Sequence, residues 1–105
     1  MAKVNDLAIK LTKKFLKVLQ EQGIKVESAY IFGSYAKGKE HKWSDIDIAI
    51  ISSDFSSDRC EESARLMKLS CKIDSRIEPV PFRPEMFVDE DPLVYEIKKT
   101  GYMIA

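Results

Sequence analysis

The chain has 105 residues, with 17 Lys and Arg against 17 Asp and Glu, so its formal net charge is zero. That length allows one domain, 1–105, with one core of modest stability. The charge balance argues against a protein that coats phosphate backbones, because such binding needs a clear basic surplus. No apolar run approaches a membrane span, and the N-terminal stretch lacks a signal-peptide core. Cytoplasm is the expected compartment. The two cysteines, Cys60 and Cys71, fall in one predicted helix, roughly 16 Å apart at Cα. A disulfide needs less than about 7 Å, so both are expected to be reduced. The one histidine, His41, lies far from them, which argues against a Cys/His metal site.

Asn5 is a helix cap, and the helix it opens is predicted to reach Gln22, with Gly23 as its stop. Its apolar stripe is Leu7, Leu11, Phe15, Val18 and Leu19. Val26 to Phe32 is rich in β-branched and aromatic residues and reads as a strand. Gly33 breaks it, and a short helix is expected from Ser34 to Gly38. Lys39 to Ser44 is a polar loop carrying Trp43. Asp45 to Ile51 is the strongest strand, apolar on both faces and therefore central. A helix is expected from Asp58 to Lys72, with Ala64, Met67 and Cys71 on one face. Ile73 to Phe82 reads as a third strand, placed at an edge by Pro79 and Pro81. "RPEMF" reads as one helical turn. Pro92 opens a last helix that Gly101 ends. The pattern describes a small α/β (α+β) domain with a mixed sheet of three or four strands packed against helices.

Asp45 and Asp47 stand two apart on a strand, so both side chains leave one face, about 7 Å apart at Cα. Carboxylates that close repel each other unless a cation lies between them. Oxygen ligands at this spacing suit Mg²⁺, which completes its shell with water and phosphate oxygens. Gly33-Ser34, directly after a strand, allows close approach of a ligand, and free N–H groups there would cradle phosphate. Lys37, Lys39 and Lys42 are candidates to neutralise further phosphate charge. A third acid would complete a two-metal arrangement for phosphoryl or nucleotidyl transfer. Glu78 fits that place, on a face shared with Val80 and Phe82, with Asp74 nearby as another carboxylate. Glu78 would also serve as general base for an attacking hydroxyl.

Gly33-Ser34, ten intervening residues and then Asp45-Ile46-Asp47-Ile48 resembles the signature of the DNA polymerase β-like nucleotidyltransferase superfamily. "GSYAKG", "SDIDIAII" and "DPLVYEIKKTGYMI" resemble its minimal nucleotidyltransferase branch, over about residues 28 to 104. That branch holds antitoxins of HEPN-domain toxins. The resemblance implies that Gly33 and Ser34 bind the β/γ-phosphates of ATP, with Lys37 beside them. It implies that Asp45, Asp47 and Glu78 are the catalytic, Mg²⁺-holding acids. The implied reaction transfers AMP to a hydroxyl, thought to be a tyrosine of the toxin, with release of pyrophosphate. Two positions depart from the family: Glu78 stands where Asp is usual, and Lys37 where Arg is common. A carboxylate displaced by near 1 Å can cost about a hundredfold in rate. An inactive nucleotide-binding module that silences its partner by occlusion is therefore one alternative. A small-molecule (aminoglycoside-type) nucleotidyltransferase is another, although no residues remain for the extra helical domain such enzymes generally carry.

The remaining conspicuous residues have plainer readings. His41 is expected to be exposed and idle, and Trp43 to pack. Tyr30 and Tyr35 stay open between core and site. "VDEDP", residues 88 to 92, reads as a loop with a helix cap. The open edges of a small sheet favour self-association.

Overall fold

The computed structural model describes residues 4–105; residues 1–3 of the expected single domain lie outside the described residues. Helix α1 spans Asp6–Glu21. Asn5 caps it as expected, its side-chain oxygen accepting from the N–H of Leu7 at 2.8 Å and of Ala8 at 3.3 Å. The buried stripe is Ala8, Thr12, Phe15 and Leu19, so the helix is turned relative to the predicted face and leaves Leu7 half exposed. Thr12 fits that inner face because its hydroxyl donates to the Ala8 carbonyl at 2.7 Å. Gly23, at φ +82°, then reverses the chain.

Strands β1 (Ser28–Phe32) and β2 (Ile46–Ile51) pair antiparallel, and α2 (Arg59–Ser70) crosses over to β3 (Ile77–Phe82), parallel to β2. Parallel neighbours need such a crossover. A 3-10 turn at Pro84–Met86 leads to α3 (Pro92–Thr100), capped by Asp91, whose carboxylate accepts from the Leu93 N–H at 2.9 Å. A two-residue strand, β4 (Tyr102–Met103), returns to pair with β1. The mixed sheet has the order β3-β2-β1-β4. The expected three or four strands are four, and β4 was not anticipated, because two residues carry no periodicity.

Alternation along β2 sorts the core into two layers. Ile46, Ile48 and Ile50 pack with Ile31 and Ile77 against Phe15 and Leu19 of α1 and Leu66 of α2. On the other face Ala49, Ile51 and Phe82 pack against Val94 and Ile97 of α3, with Tyr30, Phe32, Val80 and Phe87 around them. Helix α2 also differs from its predicted face. Ala64, Met67 and Cys71 are exposed, and Glu62, Leu66 and Ser70 point inward. An acid is tolerated there because Glu62 Oε2 accepts from the Ser56 N–H at 2.8 Å. Cys60 and Cys71 are free thiols, as expected. Among the described residues, no helix is long and apolar enough to cross a membrane.

Candidate functional site

Three of the expected acids meet at one end of the α3-facing side of the sheet. Asp47 lies inside β2 on the face of Ala49 and Ile51, and its ladder partners are Phe32 of β1 and Glu78 of β3. Adjacent strands lie about 4.8 Å apart, so the two carboxylates stand side by side. β2 begins at Ile46, one residue later than predicted, so Asp45 immediately precedes it and is exposed. Glu78 shares its face with Val80 and Phe82 but lies at the open end and is also exposed. Asp47 is half-buried. Burial first, then the charges of Glu78 and Asp45, push its carboxyl up to about 6. Glu78 is likewise raised, chiefly through hydrogen bonding with Asp45, with burial and the Asp45 charge adding to it. No salt bridge among the described residues reaches any of the three acids.

Gly33 follows β1 at φ +74°, a left-handed conformation that side chains resist. A β-carbon there would collide with the Asp47 carboxylate, so the glycine is what lets this acid reach the surface. The helix expected at Ser34 is instead a run of turns through Gly38, itself at φ +68°. Two long turns close it: Lys37 N–H donates to the Gly33 carbonyl at 3.2 Å, and Lys39 N–H to the Ser34 carbonyl at 2.9 Å. Six residues containing two left-handed glycines cannot propagate a helix. The chemical consequence is the same. The N–H groups of Ser34, Tyr35 and Ala36 donate to no acceptor among the described residues. Successive free N–H groups in such a turn form a concavity suited to anions.

The expected cations are arranged differently from the acids. Lys37 leans to α3, where its Nζ lies 2.6 Å from Glu96 Oε1, in an exposed pair that lowers the Glu96 carboxyl. Lys39 and Lys42 are exposed, Lys42 Nζ lying 5.1 Å from the Trp43 ring centroid. The cation the sequence reading missed is Arg76. Its carbonyl accepts from the Ile46 N–H at 2.7 Å, which places it beside Asp45 in the ladder. Asp74 grips the guanidinium as a fork, with Nε to Oδ1 at 3.0 Å and Nη2 to Oδ2 at 2.9 Å. Those bonds hold the Asp74 carboxyl low and the Arg76 guanidinium firmly protonated, with the Tyr35 phenol alongside. They also leave Asp74 committed to Arg76, whereas Glu78 is the ladder partner of Asp47. The β3 strand begins at Ile77, four residues later than predicted, because Asp74 and Arg76 form this turn. A signal existed in "DSR", a turn former followed two residues later by arginine.

Among the described residues, no three His, Cys, Asp or Glu side chains already converge on a metal-sized point. The acids fit a divalent ion nonetheless. They are oxygen-only, mutually repelling and unpaired with cations, and Mg²⁺ takes only one or two protein carboxylates before water and phosphate complete its shell.

The family profile described as "Polymerase beta, Nucleotidyltransferase" matches residues 13–105. The chain belongs to this family. A protein adenylyltransferase, MntA of Shewanella oneidensis, is 36% identical over 70 residues, 67% of this chain. The chain spans about half the length of that curated relative, the match covering 50% of it. Among solved structures, a mutant of the toxin–antitoxin MntA-HpeT is 28% identical, with a TM-score of 0.61 over 90% of this chain and 71% of that one. A toxin–antitoxin with AMP-PNP is 26% identical, with a TM-score of 0.60 over 89% and 71%. A Sulfolobus solfataricus protein at 20% identity shares the fold, with a TM-score of 0.62 over 91% and 78%. The nucleotidyltransferase fold expected for the chain is therefore present, as a four-stranded mixed sheet with three helices.

Proposed function

We propose that this chain, 1–105, acts as one Mg²⁺-dependent nucleotidyltransferase domain that moves AMP from ATP to a protein hydroxyl. The favoured acceptor is a tyrosine of a HEPN-type toxin, and the transfer would make the chain the antitoxin of the pair. Cytoplasm, where both substrates are found, is the proposed compartment. The observation that carries the reading is Asp47, wedged between Gly33 and Glu78 with its proton affinity raised. Proton affinity raised first by burial and then by two neighbouring carboxylates marks a candidate site for a cation. The similarity to a protein adenylyltransferase and to a toxin–antitoxin with AMP-PNP supports the same chemistry.

Asp45 and Asp47 would hold the metal, with Glu78 completing the set; when bound, Mg²⁺ supplies neutralisation of the phosphate charge. The free N–H groups at Ser34, Tyr35 and Ala36 would cradle the β- and γ-phosphates. Lys37 and Arg76 would contribute positive charge, Arg76 the more rigidly because Asp74 fixes its plane. Glu78, with its raised proton affinity, would accept the proton of the attacking hydroxyl. The acceptor oxygen forms a bond to the α-phosphorus, the α–β bridging P–O bond breaks, and pyrophosphate leaves.

The test is incubation of the purified chain with Mg²⁺, α-labelled ATP and a HEPN-domain partner. Label on the partner, lost with Asp47→Asn, is the expected result. A tight complex that forms without label, and equally well with Asp47→Asn, would replace transfer by occlusion.

A further inference from the structure

The turn proposed to cradle phosphate is tied to the sheet by side chains. Its backbone hydrogen bonds close on themselves, Lys37 N–H returning to the Gly33 carbonyl and Lys39 N–H to the Ser34 carbonyl. Among the described residues, no backbone hydrogen bond links residues 34–37 to the sheet. Three side chains hold the turn instead. Tyr35 is 6% exposed, Ala36 is 8% exposed, and Lys37 reaches Glu96 in an exposed pair. Such a pair contributes at most about 1 kcal/mol, and Ala36 offers only a methyl group. Tyr35 is the substantial anchor. It belongs to the buried cluster that contains Ile46 and Ile77, the first residues of β2 and β3, with Val4 and Ala8 around the start of α1.

A buried phenol needs a partner for its hydroxyl. Here the hydroxyl lies within hydrogen-bonding reach of the Arg76 guanidinium. Asp74 fixes that guanidinium, accepting from Nε at 3.0 Å and from Nη2 at 2.9 Å, and it accepts from the Arg76 N–H at 2.9 Å as well. The Arg76 carbonyl in turn accepts from the N–H of Ile46, the residue after Asp45, at 2.7 Å. One line of contacts thus runs from the turn, through Tyr35 and Arg76, to the strand end that carries Asp45. We propose that Tyr35 is a positioning residue: its hydroxyl, held by the Asp74–Arg76 fork, keeps the Ser34–Ala36 N–H groups in register with Asp45 and Asp47. A turn that slips binds triphosphate only in the fraction of molecules where it is in place, and apparent affinity falls with that fraction. The inference rests on the proposed nucleotide site for its ligand, and does not need the transfer step.

The experiment is calorimetric titration of the whole chain with Mg²⁺ and ATP. Tyr35→Phe keeps the ring and removes only the hydroxyl. It should weaken ATP binding by about fivefold, the worth of one ordinary hydrogen bond. In the transfer assay its KM for ATP should rise more than kcat falls. Arg76→Ala should weaken binding further, because a positive charge goes with it, and in that background Tyr35→Phe should cost nothing more. Asp74→Asn separates the fork from simple charge. Removing a negative charge would by itself tighten ATP binding, whereas breaking the bidentate grip on Arg76 loosens the turn. Weaker binding, again by about fivefold, is expected. A merely structural role for Tyr35 would lower the thermal midpoint and leave the ATP affinity of the folded chain as it was. That result, an equal loss with and without Arg76, or tighter binding in Asp74→Asn would each overturn the proposal. If the coupling appears but no label reaches a partner, positioning stands and transfer falls. Label without the coupling leaves transfer standing and removes positioning. No binding of ATP at all overturns both.

Discussion

The two faces of the sheet are written by the same strands yet obey opposite rules. Toward α1 and α2, Ile46, Ile48 and Ile50 run without a polar interruption. Toward α3, the alternate residues Asp47, Ala49 and Ile51 begin with a carboxylate, and the neighbouring row of Glu78, Val80 and Phe82 begins the same way. α3 packs on the apolar end of these rows, while Asp45 and Glu78 are exposed. One face is built for stability. The other gives up stability at one end to keep negative charge close together, which is the usual mark of a working site.

Substitutions on each side sharpen this contrast. The largest effect should come from Asp47→Asn. Removing the carboxylate proposed to hold the metal should lower the proposed transfer by about a thousandfold, since metal stabilisation of developing charge amounts to several kcal/mol. The same change should stabilise the ligand-free chain. Because folding raises the Asp47 pKa to about 6, the folded chain binds this proton more tightly than the unfolded one. Stability therefore falls as pH rises from the unfolded value near 3.8 through about 6, and the loss is complete above that. After discounting for solvent exposure the loss is on the order of 1–2 kcal/mol. Urea unfolding at pH 4 and pH 7.5 should show the slope in the wild type and a shallower one in Asp47→Asn. Saturating Mg²⁺ and ATP should offset it.

On the opposite face, Ile48→Ala should cost about 2–5 kcal/mol of stability through the cavity it leaves. The chain that remains folded should keep its metal affinity, as read by Mg²⁺ titration. Gly33→Ala comes next. The added methyl must displace the Asp47 carboxylate, and a shift near 1 Å lowers transfer by about a hundredfold. If Gly33→Ala transfers normally, Asp47 does not need its observed position. Lys37→Ala should be the mildest. Its partner Glu96 is exposed, so stability should change by less than about 1 kcal/mol. The KM for ATP should rise more than kcat falls.

The sequence made the site more legible than the packing around it. Gly33, Asp45 and Asp47 could be placed because glycine's conformation and the two-residue period of a strand are local facts. Glu78 required knowing that β3 lies parallel to β2, which only the crossover through α2 supplies. Both long helices turned away from their predicted faces for tertiary reasons. Thr12 satisfies its hydroxyl within α1, and Glu62 caps the loop at Ser56, so polar residues occupy inner positions that periodicity assigns to apolar ones. Arg76 escaped notice because its importance comes from Asp74 and Tyr35, and from a ladder position beside Asp45. Trp43 was placed in a polar loop and expected to pack, yet it is exposed, because the turn from His41 to Ser44 holds it outward.

The prolines of β3 reach beyond the site. Pro79 and Pro81 occupy alternate positions of an outermost strand, and neither has an N–H to offer. A foreign strand laid against that border would find no donor at 79 or 81, two successive outward-facing positions, so this margin resists extension. Recruitment by sheet continuation, whether of a second copy or of another protein, is steered to the opposite margin at Tyr102–Met103. Any assembly formed that way would have a polarity fixed by two imino acids.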